Sequence, residues 1–199
     1  MNTIYRRVKN KNSKWKFNLI KSYLSDEEKV LDLGCGDLGL AKEMTRHLKQ
    51  VRINGIDVIP LKTKNPKSRR ISYQQYDGVK IPYPDKAFDL VIVFYVLHHC
   101  KNPQEIIAEC ARVARKRVLV VESIPEKRFE LPFMRFFDWF FNFIKFDMTP
   151  LPYQFKTVEA WSSLFKKAGM RNVSSHHPKS YEDYVPFGKL YILEFEKKN

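Results

Sequence analysis

Three glycines and two aspartates are concentrated between Asp32 and Gly39 of this 199-residue chain, and they form its most informative motif. The chain holds seven glycines, so the presence of Gly34, Gly36 and Gly39 in one short segment marks a turn with a function. These glycines match the G-x-G-x-x-G spacing that brings a bound ligand close to the backbone. A turn of this kind ends a strand and begins a helix, so backbone N–H groups face the ligand.

The charges in this turn indicate which ligand suits it. Asp32 lies two residues before the first glycine, and Asp37 lies inside the turn. A pyrophosphate would meet both carboxylates, and each like-charge pair at 4 Å costs about 1 kcal/mol in water and roughly 4 kcal/mol at a partly buried site. A ligand with a sulfonium cation, an ammonium group and no phosphate gains from the same carboxylates. The motif therefore favours S-adenosylmethionine over NAD, with S-adenosylhomocysteine as the product.

His98, His99 and Tyr95 are the candidate catalytic residues. The two histidines follow an apolar run at 90–94, where the methyl group of the ligand is expected to emerge. Histidine has a suitable intrinsic pKa for a general base, which is needed only if the acceptor must lose a proton early. Tyr95 is a candidate wall of the acceptor pocket. The structural alternative is that one histidine caps the next helix while the other faces solvent or core.

Apolar periodicity predicts the elements that position these residues. Pro103 and Glu105 indicate a helix that begins after an N-cap at Asn102, in the pattern of a capping box. The alternating order predicts an α/β fold, namely a doubly wound, Rossmann-like, mostly parallel seven-stranded sheet with helices on both faces and an antiparallel last strand. Predicted helices cover 13–24, 38–50, 103–114 and 157–168, and predicted strands cover 30–33, 52–56, 71–76, 90–95, 117–121, 172–176 and 189–196.

From about Lys14 to Lys197 the chain resembles the class I S-adenosylmethionine-dependent methyltransferases, particularly their small single-domain members. The segment 30–36 (Val-Leu-Asp-Leu-Gly-Cys-Gly) is similar to the first motif of that family. Asp57, which closes an apolar strand, is similar to the acid that holds the ribose hydroxyls. The segments 77–89 and 89–99 are similar to the adenine-reading segment and to the fourth strand with the turn after it.

The resemblance implies a role for each residue that matches a motif. Two departures are visible: Leu38 stands where a third glycine is commoner, and no Lys-Pro-Gly-Gly loop precedes the fifth strand, because 112–117 runs straight into it. Neither departure removes a side chain that binds the cofactor. The implied cofactor contacts are the backbone of Gly34, Cys35 and Gly36 for the methionyl part, Asp32 for the ammonium group, Asp57 for the ribose, Val58, Asp77 and Gly78 for the adenine, and the backbone of Phe94.

Composition predicts one domain over residues 1–199, since 199 residues with 44% hydrophobic content suffice for one core and are few for two. Three cysteines without metal-ligand spacing predict a reducing, cytoplasmic location, and no metal site is predicted. Neither a signal peptide nor an apolar run of about 20 residues is visible. Cys35 is interpreted as a small turn residue rather than a nucleophile.

A formal charge of +14 is the second informative property. Such an excess favours encounters with nucleic acid, an anionic membrane surface or acidic substrates, and a solvated basic surface is an equally good interpretation. The basic residues cluster at Arg6, Arg7, Lys9, Lys11, Lys14 and Lys16, at Lys62, Lys64, Lys67, Arg69 and Arg70, and at Arg112, Arg115, Lys116 and Arg117.

A phenylalanine-rich helical insert is predicted at about 125–150. Arg135, Asp138, Asn142 and Lys145 fall on one narrow stripe of this helix, with a broad apolar face opposite. The insert suits a lid over an apolar acceptor, a helix packed on the core or in a dimer interface, or peripheral contact with a membrane surface. The oligomeric state stays open for the same reason.

The sequence as a whole favours an enzyme that transfers a methyl group to a small, apolar or aromatic acceptor. An RNA or tRNA methyltransferase suits the basic clusters, but the chain carries no Asn/Asp-Pro-Pro-aromatic tetrapeptide and no appended RNA-binding module. A non-catalytic cofactor-binding subunit that grips a partner with the insert is the alternative from another class. An NAD-dependent oxidoreductase is the weakest of the four.

Overall fold

The computed structural model describes residues 3–61, 68–144, 153–178 and 187–197, with side chains described outside 3–10 and 141–144. The strands are β1 (Lys29–Leu33), β2 (Arg52–Asp57), β3 (Ile71–Gln75), β4 (Phe88–Phe94), β5 (Ala114–Ile124), β6 (Met170–His176) and β7 (Lys189–Lys197). The helices are α1 (Thr3–Ile20), α2 (Gly39–His47), α3 (Pro103–Val113), α4 (Glu130–Ile144) and α5 (Val158–Lys167), and 3-10 turns cover Lys21–Tyr23 and Leu97–His99.

The strands form one seven-stranded sheet in the order β3-β2-β1-β4-β5-β7-β6. The first five strands pair in parallel, and β7 is antiparallel to both β5 and β6. The predicted doubly wound sheet with an antiparallel last strand is therefore confirmed. Because the strand order reverses between β1 and β4, a crevice opens at their carboxyl ends, where ligands bind in sheets of this kind.

Both faces of the sheet are covered, which explains the continuous apolar runs in its central strands. Every residue of β4 is buried. One face packs against α3 and α5, with Trp161 and Phe165 among its largest buried side chains. The other face packs against α1 and α2 through Phe17, Ile20 and Met44.

Two predicted helices differ from the observed ones. Helix α1 begins at Thr3, ten residues before the predicted start at Ser13, and ends at Ile20 rather than at Leu24. At α3 the N-cap position is Asn102, as predicted, but its side chain caps no backbone N–H. Instead, Asn102 Nδ2 donates to Glu105 Oε1 at 3.2 Å, so the capping box is replaced by a bond between the two side chains.

The two departures from the family pattern each have a structural explanation. Leu38 takes the left-handed conformation (φ +62°) that a glycine would adopt at lower cost. Its side chain is fully buried above Gly55, where a Cβ would lie 2.4 Å from Leu38 Cδ2. Burial of this leucine offsets the backbone strain. The missing loop reflects a direct connection, since α3 ends at Val113 and β5 begins at Ala114.

The third basic cluster is engaged by carboxylates within the fold. Arg117 pairs with Glu28 at 2.7 Å and with Glu194 at 3.0 Å, and Arg115 pairs with Asp89 at 3.0 Å. Arg117, which is largely buried, therefore stabilises the fold, whereas Arg115 stays half-exposed beside Asp89. Elsewhere, Arg70 donates to the carbonyls of Thr45, Leu48 and Lys49. Several members of the first two basic clusters lie outside the described residues, namely Lys62, Lys64 and Lys67 and the side chains of Arg6, Arg7 and Lys9. Among the described helices, none has the length and apolar content needed to cross a membrane.

Substituting Arg117→Ala is expected to lower the free energy of unfolding by about 3 kcal/mol, because it strands the buried Glu28 carboxylate without its cation. The matched control is Arg171→Ala, which removes an exposed pair with Glu196 and should cost less than about 1 kcal/mol. Urea denaturation of both variants measures the difference, and equal losses would show that the Arg117 cluster has no special role.

Candidate active site

The glycine turn lies at the carboxyl end of β1 and is held against the neighbouring strand β2. The N–H groups of Gly34 and Cys35 both donate to the Ile56 carbonyl, at 2.8 and 3.1 Å. Gly34 has φ +72°, and a Cβ there would lie 2.3 Å from Val96 Cγ2. Glycine is therefore required at this position both for backbone conformation and for space.

A cavity of about 100 Å³ opens beside this turn. Asp32 lies in its wall with 2% of its surface exposed, and Asp32 Oδ2 has no hydrogen-bond partner among the described residues. Lys16 of α1 reaches the same cavity, with its Nζ 4.6 Å from the centre of the Phe94 ring. The cavity thus presents a buried carboxylate and an ammonium group, the two charges that complement an amino-acid zwitterion. It is lined by Asn12, Ser13, Lys16, Asp32, Gly34, Cys35, Asp37, Gly39, Leu40 and Phe94.

Burial raises the pKa of Asp32 to about 6, since the positive charge of Lys16 only partly offsets the loss of water and the Asp57 carboxylate opposes ionisation. A cationic ligand group would favour the ionised form. At Cys35, burial and the nearby carboxylates Asp32 and Asp57 raise the pKa of the thiol far above its usual range. A thiol in this state is a poor nucleophile, which agrees with the interpretation of Cys35 as a turn residue.

The predicted ribose and adenine residues lie next to each other, beyond the glycine turn. Asp57 Oδ2 accepts from the Gly36 N–H at 2.8 Å, so the ribose candidate is held against the turn. The Asp57 carbonyl accepts from Tyr76, the residue before Asp77, at 3.1 Å. A Cβ at Gly78 would lie 3.0 Å from Val58, whose side chain is exposed. These contacts place Asp57, Val58 and Gly78 around one surface.

Asp77 Oδ1 accepts from the N–H groups of Val79 and Lys80 at 2.8 and 3.0 Å. These backbone hydrogen bonds lower the pKa of the Asp77 carboxyl. The side chain is therefore an ionised acceptor at neutral pH, which is the state needed to bind an adenine amino group. Its role, like that of the other cofactor candidates, stays a prediction.

His98 and His99 form a buried polar cluster with two carboxylates at the carboxyl ends of β4 and β5. His98 Nδ1 donates to Glu122 Oε2 at 2.5 Å, and Glu122 Oε1 accepts from the Leu97 N–H at 2.8 Å. Asp138 of α4 places its Oδ2 3.7 Å from His98 Nε2 and 3.6 Å from His99 Nε2. The two imidazole rings lie 4.0 Å apart. The interpretation of either histidine as the cap of α3 is wrong, because that position is occupied by Asn102.

The two histidines have opposite electrostatic environments. Burial lowers the pKa of His98, but the negative charge of Glu122 and its hydrogen bond raise this pKa by more than burial lowers it. The pKa of His98 is therefore raised overall. Burial and the neighbouring His98 lower the pKa of His99 to about 3. His99 is therefore neutral at physiological pH and offers a lone pair for hydrogen bonding or coordination.

Aromatic side chains connect this cluster to the cofactor cavity. The Phe94 ring, in the cavity wall, lies 5.2 Å from the Tyr95 ring, which lies 6.4 Å from His98. On its other side His98 stacks on Phe155 at 4.6 Å. Tyr95 has φ +57°, an uncommon conformation for a bulky residue and one that often marks a functional position.

Helix α4 covers the cluster with its polar stripe and leaves aromatic residues outside. Met134 is buried, Arg135 Nε donates to the Tyr153 carbonyl at 3.2 Å, and Asp138 faces the histidines. The predicted stripe therefore turns toward the fold for Arg135 and Asp138, whereas the side chains of Asn142 and Lys145 lie outside the described part of the chain. The exposed aromatic residues of this segment are Phe129, Phe133, Phe136, Trp139 and Phe140.

Sequence reasoning missed Lys16, Glu122 and the inward role of Asp138. Glu122 had a usable signal, since it ends the apolar run 118–121 in the same way that Asp57 ends β2. Lys16 and Asp138 had none, because a basic residue on α1 and an acid on a helical stripe suit a solvated surface equally well. Their positions depend on how α1 and α4 pack.

The Asp57→Ala variant is expected to weaken S-adenosylmethionine binding by about 1.5–3 kcal/mol, roughly 10- to 150-fold, through loss of charged hydrogen bonds to the ribose. Titration calorimetry measures the change. The control is Asp85→Ala, since Asp85 is an exposed acid on Arg112, away from the cavity. Unchanged affinity in Asp57→Ala would remove this residue from the binding site.

Affinity for S-adenosylmethionine is expected to fall as the pH drops through about 6, the pKa of Asp32, because protonation removes the charge that attracts the ligand. At pH 5 about one tenth of the carboxyl is ionised, so binding should be roughly tenfold weaker than at pH 7.5. Calorimetry in two buffers of different ionisation enthalpy also detects the released proton. An Asp32→Asn variant should lose this pH dependence, and a flat wild-type profile would contradict the assignment.

Comparison with known proteins shows what the whole chain is similar to. A family model described as a methyltransferase domain matches residues 31–121. A demethylmenaquinone methyltransferase of Tropheryma whipplei is 25% identical over 190 residues, covering 79% of this chain and 78% of the relative. A ubiquinone/menaquinone biosynthesis C-methyltransferase of Psychromonas ingrahamii is 28% identical over 148 residues, covering 68% of this chain and 57% of the relative.

A solved S-adenosylmethionine-dependent methyltransferase of Mesorhizobium loti has the same fold, with a TM-score of 0.70 at 13% identity over 93% of this chain and 98% of that chain. The cavity also fits the cofactor, because the buried Asp32 Oδ2, which has no hydrogen-bond partner among the described residues, can accept from the ammonium group of a ligand. The sequence motif, the fold and the relatives lead to one conclusion. This chain carries a methyltransferase domain, is similar to the class I S-adenosylmethionine-dependent methyltransferases, and is an enzyme that uses S-adenosylmethionine as its cofactor.

Proposed function

We propose that this enzyme methylates a small, apolar, aromatic acceptor of the quinol type, and that residues 1–199 act as one domain with the insert at 125–150 as its cap. The observation that carries the proposal is the polar cluster His98–His99–Asp138, which is surrounded by aromatic rings beside the cofactor cavity. Such a site suits a flat ring with one or two oxygens. The two relatives described above are named for methyl transfer in menaquinone or ubiquinone biosynthesis.

In this proposal each group of cofactor residues contacts a different part of the ligand. Asp32 and Lys16 hold the charged groups of the methionyl part, and the turn Gly34–Gly36 contacts it through the backbone. Asp57 accepts from the ribose, Asp77 accepts from the adenine amino group, and Val58 and Gly78 contact the adenine face. The charge of Asp32 and the exposure of Val58 support this division.

The bound cofactor supplies a methyl carbon that its sulfonium already activates, so the protein contributes mainly position and the exclusion of water. Tyr95 forms the wall between the cofactor cavity and the histidine cluster and holds the acceptor ring in line with the methyl group. The histidine cluster binds the acceptor oxygen. Helix α4 closes the site from above, and Asp138 is its polar contact with the acceptor side.

The reduced form of the acceptor is required by the chemistry of the transfer. A quinol ring carbon is electron-rich and attacks the methyl carbon, whereas a quinone carbon is electron-poor. The ring loses one proton as the new carbon–carbon bond forms, and the cofactor leaves as S-adenosylhomocysteine. A buried cluster of histidine and carboxylate groups suits an acceptor that must release a proton.

A direct test follows the transfer of a radiolabelled methyl group to a demethylated naphthoquinol with a short side chain, kept reduced by dithionite. We expect turnover with the naphthoquinol and none with its oxidised form or with unfractionated tRNA. Turnover on tRNA alone would overturn the acceptor class in favour of an RNA substrate. Cofactor binding without turnover on any substrate would favour a non-catalytic subunit.

The Tyr95→Ala variant is expected to raise the KM for the naphthoquinol roughly 10- to 100-fold through loss of aromatic contact with the acceptor, with an unchanged dissociation constant for S-adenosylmethionine. The matched control is Tyr23→Ala, because Tyr23 contacts His176 and its carbonyl accepts from Arg117, away from the candidate site. Steady-state kinetics and calorimetry separate the two effects. A loss of cofactor affinity of the same size would place Tyr95 in the cofactor site instead.

A further inference from the structure

Three side chains of the histidine cluster offer metal-ligating atoms to one point. Asp138 Oδ2 lies 3.7 Å from His98 Nε2 and 3.6 Å from His99 Nε2, and the ligand atoms of the three residues all lie within 4.8 Å of one another. A tetrahedral ion with ligands at 2.0–2.1 Å separates its ligand atoms by about 3.3 Å. Two of the separations are therefore within a few tenths of an ångström of those in a metal centre.

The surroundings of His98 are those of a metal ligand. Its Nδ1 donates to the fully buried Glu122 carboxylate at 2.5 Å, and Glu122 is held in turn by the Leu97 N–H at 2.8 Å. A metal-binding histidine usually donates its second N–H to a carboxylate in this way, which fixes the ring and directs the other nitrogen at the ion. His98 Nε2 is buried and has no hydrogen-bond partner among the described residues.

We propose that His98, His99 and Asp138 bind a divalent transition-metal ion, with Glu122 as the carboxylate that orients His98. Two imidazoles and one carboxylate favour ions of the zinc, cobalt and iron group over Mg²⁺ and Ca²⁺, which prefer oxygen ligands. Asp138 keeps 28% of its side chain exposed, so an ion has access from solvent. Three protein ligands leave a position open, as in catalytic metal centres.

The site also joins two parts of the fold. His98 and His99 follow β4, whereas Asp138 belongs to α4, which also contacts the chain through Met134, the bond from Arg135 to the Tyr153 carbonyl, and the stacking of Phe133 and Phe137 on Phe187. A bound ion would attach the cap to the sheet. Resting on the function proposed above, an acceptor oxygen would take the coordination position that the three protein ligands leave open.

Metal binding can be tested on the full chain without acceptor or cofactor. The chelator-treated protein is titrated with Co²⁺ and Zn²⁺, and binding is followed by calorimetry and by the visible absorption of bound Co²⁺. We expect one ion per chain and the intense bands of a low-coordinate Co²⁺ site. No binding, more than one equivalent of weak sites, or the faint bands of hydrated Co²⁺ would overturn the proposal.

The variants His99→Ala and Asp138→Asn each remove one ligand at a less buried position and are expected to weaken Co²⁺ binding roughly 100-fold or more. The matched control is His47→Ala, which removes a surface histidine 3.4 Å from Glu43 and should leave binding unchanged. Circular dichroism of each variant verifies folding, and loss of binding in His47→Ala alone would show an adventitious surface site.

The outcomes also separate this proposal from the proposed function. One-to-one Co²⁺ binding that depends on His99 and Asp138, without turnover of the naphthoquinol, supports the metal site and overturns the acceptor class. Turnover that persists in chelator-treated protein with no Co²⁺ binding supports the acceptor and overturns the metal site. Proteolysis of α4 with and without Zn²⁺ gives a further readout, since an ion that attaches the cap should slow its cleavage.

Discussion

A parallel sheet that is buried on both faces has few places for polar side chains, and this constraint organises the whole molecule. Its strands are filled with apolar residues, so charged groups are tolerated where the strands end and the chain turns. Asp32, Asp57 and Glu122 all lie near the carboxyl ends of their strands and are all buried. Asp32 lines the crevice that opens where the strand order reverses between β1 and β4. Asp57 accepts from the glycine turn beside this crevice, and Glu122 holds His98 at the end of β5. The fold thereby concentrates three of its buried carboxylates at the carboxyl edge of the sheet.

The three acids differ because their partners differ. Glu122 has both a histidine and a backbone N–H as hydrogen-bond donors, and Asp57 is held by Gly36, whereas one oxygen of Asp32 has no hydrogen-bond partner within the part of the chain that the structure describes. An unsatisfied buried carboxylate is costly in an isolated protein, so it is best understood as one half of an interaction that a cationic ligand completes. The same loss of water around the charged carboxylate raises the pKa of Asp32.

Helix α4 turns a carboxylate as well as apolar side chains toward the fold. Asp138 lies against a buried histidine cluster, while the aromatic residues Phe136 and Trp139 are exposed. An inward carboxylate on a cap helix is unfavourable unless its site supplies a positive partner. A charged His98 or a metal ion meets that requirement.

Local patterns in the sequence determined much of this protein. The apolar runs predicted the strands, the Asp-x-Gly-x-Gly turn with its charges predicted the cofactor, and Thr157 and Gly169 predicted the limits of α5, because each signal depends on residues close together in the chain. Only the tertiary structure decided that Lys16 faces Asp32, that Glu122 orients His98, and that Asp138 meets both histidines. These contacts join residues that are far apart in the sequence, and no local periodicity records which face of α1 or α4 turns inward. The strain at Leu38 likewise becomes intelligible only beside Gly55, the distant glycine that makes room for its side chain.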